Sequence, residues 1–308
     1  MLESAPERSA ATYFPRMAES DSNRCNYILT ATCRAGTGVV AAVSGYLANR
    51  DCYICALEQF DDESTDKFFM RAVFRPQDKS PTVDDIREGF SAVAEKLDMK
   101  WQFHNPQNPT RVIIMVSKFD HCLDDLLYRC RTGDLHMEVT AVISNHTDLQ
   151  PLAERENIPF VYLPVDANNK AAQEETVLKL IDETDAELVV LARYMQILSE
   201  NFTNQLAGRC INIHHSFLPG FKGAKPYHQA YDRGVKVIGA TAHYVTSDLD
   251  EGPIIEQIVT RVDHNHMPEN LVRVGRDNEN IALAKAVKYH IERRVFLDGN
   301  KTVVFLGN

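Results

Sequence analysis

RVIIMVSKFDHCLDDLLYRCR, Arg111–Arg131, is the stretch whose reading decides the fold. VIIMV is short and wholly apolar and reads as a strand over Val112–Ser117; the residues behind it read as a helix over Asp120–Arg131. LVVLA, residues 188–192, is a second such run. Short apolar strands interleaved with helices indicate a parallel sheet covered on both faces. The further strand expectations are Met137–Ser144, Phe160–Pro164, Leu188–Leu191 and Cys210–His214. The helices between them are Leu149–Asn157, Lys170–Thr184 and Gln196–Leu206. Beyond Val235 a β ribbon, VKVIGATAHYV then GPIIEQIVTRV, leads to an amphipathic helix over Pro268–Arg294 and a last strand, TVVFL.

Upstream, FHNPQNPTR (103–111) carries two Asn-Pro breaks and marks a boundary. Before it the spacing predicts a strand over Asn26–Cys33 and a helix over Val39–Asn49. Strands follow over Cys52–Phe60 and Lys67–Phe74, then a helix over Val83–Leu97 and a short strand over Lys100–Phe103. The order βαββαβ suggests a ferredoxin-like sandwich. The expected organisation is an arm over 1–24, a small α/β domain over 25–105, a linker over 106–110 and a second α/β domain over 111–308.

The 308 residues suit two domains, and 44% hydrophobic with 25% charged residues describes an ordinary globular protein. A formal net charge of -10 argues against nucleic acid or an anionic membrane as the main partner. No run reaches the roughly 18 apolar residues of a membrane span, and the first 24 residues lack a secretory core. Seven scattered cysteines read as reduced thiols in a cytoplasmic setting. Cys52 and Cys55 form a C-x-x-C inside a strand, where i and i+3 face opposite ways; two buried small residues are expected, not a metal or redox pair.

In a sheet of this kind, sites form beyond the carboxyl ends of the strands. One such end reads INIHHSFLPGFKG, Ile211–Gly223. On an extended backbone Asn212, His214 and Ser216 share a face, and His215 points the other way. TSDLDEGPII, 246–255, sets Asp248, Asp250 and Glu251 before a Gly-Pro turn. An amide donor, an imidazole and a carboxylate suit acyl chemistry: two stabilise an oxyanion while the third handles protons. No G-x-S-x-G elbow, H-E-x-x-H or Cys/His zinc spacing occurs, and no metal is expected; His264 and His266 read as surface residues.

INIHHSFLPGFKG together with HYVTSDLDEGPII resembles the folate-dependent formyltransferase fold, a Rossmann-like, mostly parallel sheet. Carried over by motif, the resemblance implies catalytic roles for Asn212, His214 and Asp250 around an N10-formyl group. LARYMQILS, 191–199, resembles the segment lining the pterin pocket, which makes Met195, Gln196, Ile197 and Leu198 candidate substrate contacts. The two motifs add His243 and Gly223 to that set. The transferases that act on a phosphorylated acceptor carry a glycine-rich loop after the first strand, and backbone amides cradle the phosphate. Here Val112–Thr132 contains no glycine, and bulky side chains bar that close approach. His215 stands where the transferase motif usually has Pro. SKFDHCLDDLLYR, ISNH, GAKPYHQAYDRG and GRD resemble the formyltetrahydrofolate deformylases, which also carry an N-terminal module of the ACT type.

That resemblance implies hydrolysis of 10-formyltetrahydrofolate to tetrahydrofolate and formate, feeding purine synthesis and balancing the folate pools, with no separate cofactor. It also implies an amino-acid effector at the ACT-type domain and a homo-oligomer. The first loop of that domain, CRAGTG, departs from the pattern of an acidic residue and a Pro before the Gly. A formyltransferase with an amine acceptor and a non-catalytic folate or amino-acid sensor remain open alternatives. A generic α/β nucleotide-binding enzyme is a third alternative, against which the missing G-x-G-x-x-G after the first strand counts.

Overall fold

A computed structural model describes residues 26–166, 168–219 and 226–307. The expected arm and Gly223 lie outside the described residues. The N-terminal half runs β1 (Tyr27–Arg34), α1 (Val39–Ala48), β2 (Cys52–Asp62), β3 (Lys67–Pro76), α2 (Val83–Lys96) and β4 (Lys100–His104). The strands form one antiparallel sheet in the order β2-β3-β1-β4, the ferredoxin-like arrangement. Alternation in β1 turns Leu29, Ala31 and Cys33 inward, where they pack with Leu47 of α1 and Phe90 of α2. A capping box between Thr82 and Asp85 starts α2.

The C-terminal half continues with β5 (Thr110–Val116), α3 (His121–Arg131), β6 (Met137–Ser144), α4 (Gln150–Arg155), β7 (Phe160–Tyr162), α5 (Lys170–Glu183) and β8 (Leu188–Leu191). It goes on through α6 (Glu200–Gln205), β9 (Cys210–His214), α7 (Pro226–Asp232), β10 (Val237–Tyr244), β11 (Ile254–Arg261) and α8 (Pro268–Ile291). A hairpin of β12 (Val295–Asp298) and β13 (Lys301–Val304) ends it. Seven strands form one sheet in the order β11-β10-β9-β8-β5-β6-β7, with β5 to β9 parallel and β10 and β11 antiparallel. VIIMV is apolar throughout because both its faces are covered. Val112, Ile114 and Val116 pack on Leu123, Leu127, Leu283 and Val287 of α3 and α8. Ile113 and Met115 pack on Val177, Ile181 and Phe202 of α5 and α6.

Four local expectations need correction. Cys52 is buried but Cys55 is exposed, because a bulge between Ile54 and Ala56 interrupts the alternation of β2 at that residue. The helix expected from Gln196 begins only at Glu200, capped by the Ser199 hydroxyl, so residues 195–198 are loop. The last helix stops at Ile291; Arg293 takes a left-handed φ of 56° with no Gly or Pro to signal it, and residues 292–294 turn the chain into β12. The helix α7 has no counterpart among the sequence expectations.

The hairpin joins the two halves. Phe296 meets Phe69 edge-on at 5.8 Å, and Lys67 reaches the buried Asp298 at 2.6 Å. Arg71, also buried, donates to Glu58 at 2.8 Å and to the Glu292 carbonyl at 3.1 Å. A cavity of about 1450 Å³ lies between the sheets, lined in part by Thr30, Thr32, His104, Tyr244 and His290. Burial, reinforced by the Arg293 charge, pushes His104 down to about 4 and His290 to about 3, from an ordinary 6.5. Below 6.5 the unfolded chain therefore binds protons that the folded chain refuses, and stability falls as pH drops from about 6.5 toward 4. Denaturant unfolding across that window is expected to show this fall, less steep in His104→Gln; a slope unchanged by the substitution would refute it.

Candidate functional site

The crevice opens at the carboxyl ends of β5, β8 and β9, where successive crossovers diverge to opposite faces of the sheet. Ser117, just past β5, pins its floor. Its hydroxyl donates to Asn145 at 2.7 Å and accepts the Met195 N–H at 3.0 Å. The loop after β8 is thus held at its start. At its end the Ser199 N–H and hydroxyl both donate to Glu174. Between these anchors Met195 and Ile197 stay 51% and 64% exposed, and Leu249 opposite stays 58% exposed. Apolar side chains held in the open at the rim of a cavity suit a flat, largely apolar ligand. The cavity measures about 270 Å³ and is lined by Met195, Gln196, Ile197 and Leu198 on one side and Asn212, His214, His243 and Asp250 on another. All the sequence-proposed site residues within the described part of the chain therefore meet at one place.

Alternation in β9 brings Asn212 and His214 to that cavity together; Ser216 does not line it, because the strand ends at His214. His214 Nδ1 lies 3.2 Å from Asp250 Oδ2, and its Nε2 is buried with no partner among the described residues. Burial alone would raise the Asp250 carboxyl, but the hydrogen bond and charge of His214 outweigh it and hold the group below its ordinary 3.8. Asp250 reaches back toward β9 because it sits in a left-handed conformation, φ 58°, which Asp tolerates better than most residues. Gly252 presses the same loop onto β10, where a Cβ would lie 1.7 Å from the Tyr244 carbonyl oxygen.

His243 faces Asn212 across the strand pair. Its Nδ1 lies 2.9 Å from the Tyr244 carbonyl, so that nitrogen carries the proton and Nε2 accepts from the Asn212 amide at 3.2 Å. Burial lowers the His243 pKa below the usual imidazole range and favours this neutral form. Asn212 is thereby oriented: one N–H is spent on His243, and the other remains for a ligand.

A second cluster lies beyond any local sequence pattern. The carboxylate of Glu279, 2% exposed on α8, lies 2.9 Å from His121 Nε2, accepts the Tyr227 hydroxyl at 2.9 Å and pairs with Arg193 at 3.3 Å. His121, Cys122 and Glu279 bring three ligand-type atoms within 4.8 Å of one another. Arg193 and the two donors already compensate the single negative charge, which disfavours a cation there. These contacts span up to 158 residues of chain, and only a periodic or adjacent pattern could have announced them. His264 is exposed and His266 pairs with Asp263 at 2.9 Å.

Gly252→Ala is expected to push the 246–251 loop away and break the His214–Asp250 pair. The Asp250 carboxyl would then titrate nearer 3.8, read by carbon-detected NMR; an unchanged titration would contradict the role given to Gly252. The sign for stability follows: the pair stabilises the fold above the ordinary carboxylate pKa, and that contribution is lost as pH falls through the depressed one.

The sequence model of the formyl transferase family matches residues 110–287. A formyltetrahydrofolate deformylase of Corynebacterium sp. is 52% identical over 283 residues, covering 92% of this chain and 99% of that protein. One from Bacillus subtilis is 45% identical over 286 residues, covering 92% and 95%. The crystal structure of the Burkholderia mallei deformylase superposes with a TM-score of 0.88 at 54% identity, covering 92% of this chain and all of that one. No described helix is long and apolar enough to cross a membrane. The similarity runs through both halves at this level of identity, and the chain belongs to the formyltetrahydrofolate deformylase family.

Proposed function

We propose that the chain hydrolyses 10-formyltetrahydrofolate to tetrahydrofolate and formate, with Asn212, His214 and Asp250 at the reacting centre. The observation that carries the assignment of roles is His214 Nε2, a buried nitrogen without a partner among the described residues. Leaving such a group unpaired costs about 1–3 kcal/mol, so it is retained where a transient species pairs with it. The oxyanion of a tetrahedral formyl adduct is such a species. The second Asn212 N–H converges on the same oxygen.

Asp250 divides its oxygens. Oδ2 holds the Nδ1–H of His214 at 3.2 Å and fixes the orientation of the ring. Oδ1 lies 3.8 Å from His243 Nε2, beyond hydrogen-bond reach, and is the acceptor for water. Water oxygen bonds to the formyl carbon, the C–N10 bond breaks, one water proton ends on N10, and formate leaves with release of the second proton. Met195 to Leu198 receive the pterin, and His243 acts by holding the Asn212 amide. Gly223 joins the substrate set by motif alone. The reading requires no metal or organic cofactor.

The finer expectations have physical support. β2 is an edge strand of 11 residues with Tyr53, Leu57 and Phe60 exposed, a surface that pairing with a second copy would cover, which supports a homo-oligomer. Cys33, Cys52, Cys55, Cys122, Cys130 and Cys210 are free, which suits a reducing cytoplasm. An amino-acid effector at the N-terminal domain completes the reading.

Incubation with 10-formyltetrahydrofolate and no acceptor is the deciding assay: formate release is expected, and its absence would favour an amine-accepting transferase. His214→Ala and Asp250→Ala are each expected to lower turnover by at least about 10²–10³ with the fold intact by circular dichroism. Near-parental rates in either variant would sink the assignment of roles.

A further inference from the structure

Strand alternation predicts that His215 faces away from Asn212 and His214. The structure places it otherwise. β9 ends at His214, the chain bends, and alternation no longer applies. The His215 ring lies 5.2 Å from that of His214, tilted by 35°, and lines the same cavity as Asn212, His214 and Asp250.

We propose that His215 selects water as the formyl acceptor: its ring closes the cavity wall beside His214 and offers the attacking water a ring nitrogen. This rests on the hydrolytic reading above.

The wall behind the ring is stiff. Tyr227 lies 6.4 Å from His215, centroid to centroid, and cannot retreat. Its hydroxyl is held at 2.9 Å by the buried Glu279, and its ring lies against Gly275, where a Cβ would come within 2.1 Å. Glu279 is held in turn by His121 and Arg193. The segments following β5, β8 and β9 are thus tied to one carboxylate on α8. An acceptor amine carrying a substituent would have to displace this wall. Water would not.

The electrostatics suit the same role. Burial first, then the charges of Arg193 and His214, push the His215 pKa down to about 4. A neutral imidazole keeps one nitrogen as an acceptor, whereas a protonated ring has none. The water can then donate one hydrogen to His215 and the other to Asp250 Oδ1, which aims its lone pair away from both. No bond to His215 forms. The water oxygen bonds to the formyl carbon, the proton taken by Asp250 passes to N10, and the C–N10 bond breaks.

The test uses the full chain and two nucleophiles. Parent, His215→Ala and His215→Gln are given 10-formyltetrahydrofolate with and without hydroxylamine, a small amine that attacks without an acceptor for its proton. Formate and formohydroxamate are measured. In His215→Ala, formate release is expected to fall about 10²-fold with KM near the parent value. The hydroxamate-to-formate ratio is expected to rise at least about tenfold, a shift of about 1.4 kcal/mol between the two barriers. His215→Gln, which retains an acceptor of similar reach, should recover part of the hydrolysis and lower the ratio again. Parental formate release, or an unchanged ratio, in His215→Ala would overturn the proposal. Should the Ala variant not fold, a fall in formate release with hydroxamate retained in His215→Asn, beside partial hydrolysis in His215→Gln, supports it, and a parental ratio in both overturns it. His214→Ala run in parallel separates the two readings: retained formate release there defeats the catalytic assignment itself, whereas its loss beside an unchanged ratio in His215→Ala defeats this inference alone.

Discussion

β9 and β10 pair antiparallel with Asn212 opposite His243 and His214 opposite Thr241, and the site hangs on that register. The cross-strand pair sets the amide against the imidazole that orients it. A slip of one residue would turn Asn212 and His214 toward the apolar face of the sheet, where Ile211 and Ile213 now pack. Several buried features guard against the slip. Thr241, wholly buried, donates to the Ser216 carbonyl and accepts the Leu218 N–H. Gln257 on β11 adds hydrogen bonds to Thr241 and to the Leu218 carbonyl, so three neighbouring segments agree on one alignment. A parallel strand alone would carry His214 to the crevice; the antiparallel neighbour fixes what stands beside it.

Three imidazoles and one carboxylate share a small space, and they do not behave alike. Burial lowers the pKa values of His243 and His215, which leaves both as neutral hydrogen-bond partners. Asp250 is held below its ordinary value chiefly because its contact with His214 outweighs desolvation. A cation on His214 is therefore compensated by one carboxylate and not opposed by two further cations. The proposed oxyanion chemistry uses that division: donors on His214 and Asn212, and a neutral His215 left as an acceptor for water.

Much of this was legible in the sequence, and the reason is geometric. Asn212 and His214 lie two apart on a strand, so a period of two reveals their shared face. Asp250 stands out against its Gly-Pro turn. The wholly apolar runs VIIMV and LVVLA could only be strands covered twice. The failures are equally physical. Cys55 lies on a bulge, which shifts the period by one without altering composition. His215 follows the last hydrogen-bonded residue of its strand, where a periodic rule has no force. Arg293 turns the chain in a left-handed conformation that Gly usually marks. The set His121, Arg193, Tyr227 and Glu279 comes from four separate elements and loops, and no local pattern can assemble it.

β10 also ties the site to the other half of the chain. His243 and Tyr244 are adjacent, so their side chains leave opposite faces of the strand. One holds Asn212 at 3.2 Å; the other holds His290 at 2.7 Å at the end of α8, beside the cavity between the sheets. The Tyr244 carbonyl closes the circuit, because it fixes the protonated nitrogen of His243 and presses against Gly252 below Asp250. Both the Asn212 amide and the Asp250 carboxylate are therefore referenced to one backbone unit. Close-packed interiors transmit displacements instead of absorbing them. A shift of Tyr244 large enough to break its bond to His290 would move the supports of Asn212 and Asp250 together, which makes the junction between the halves part of the alignment of the site.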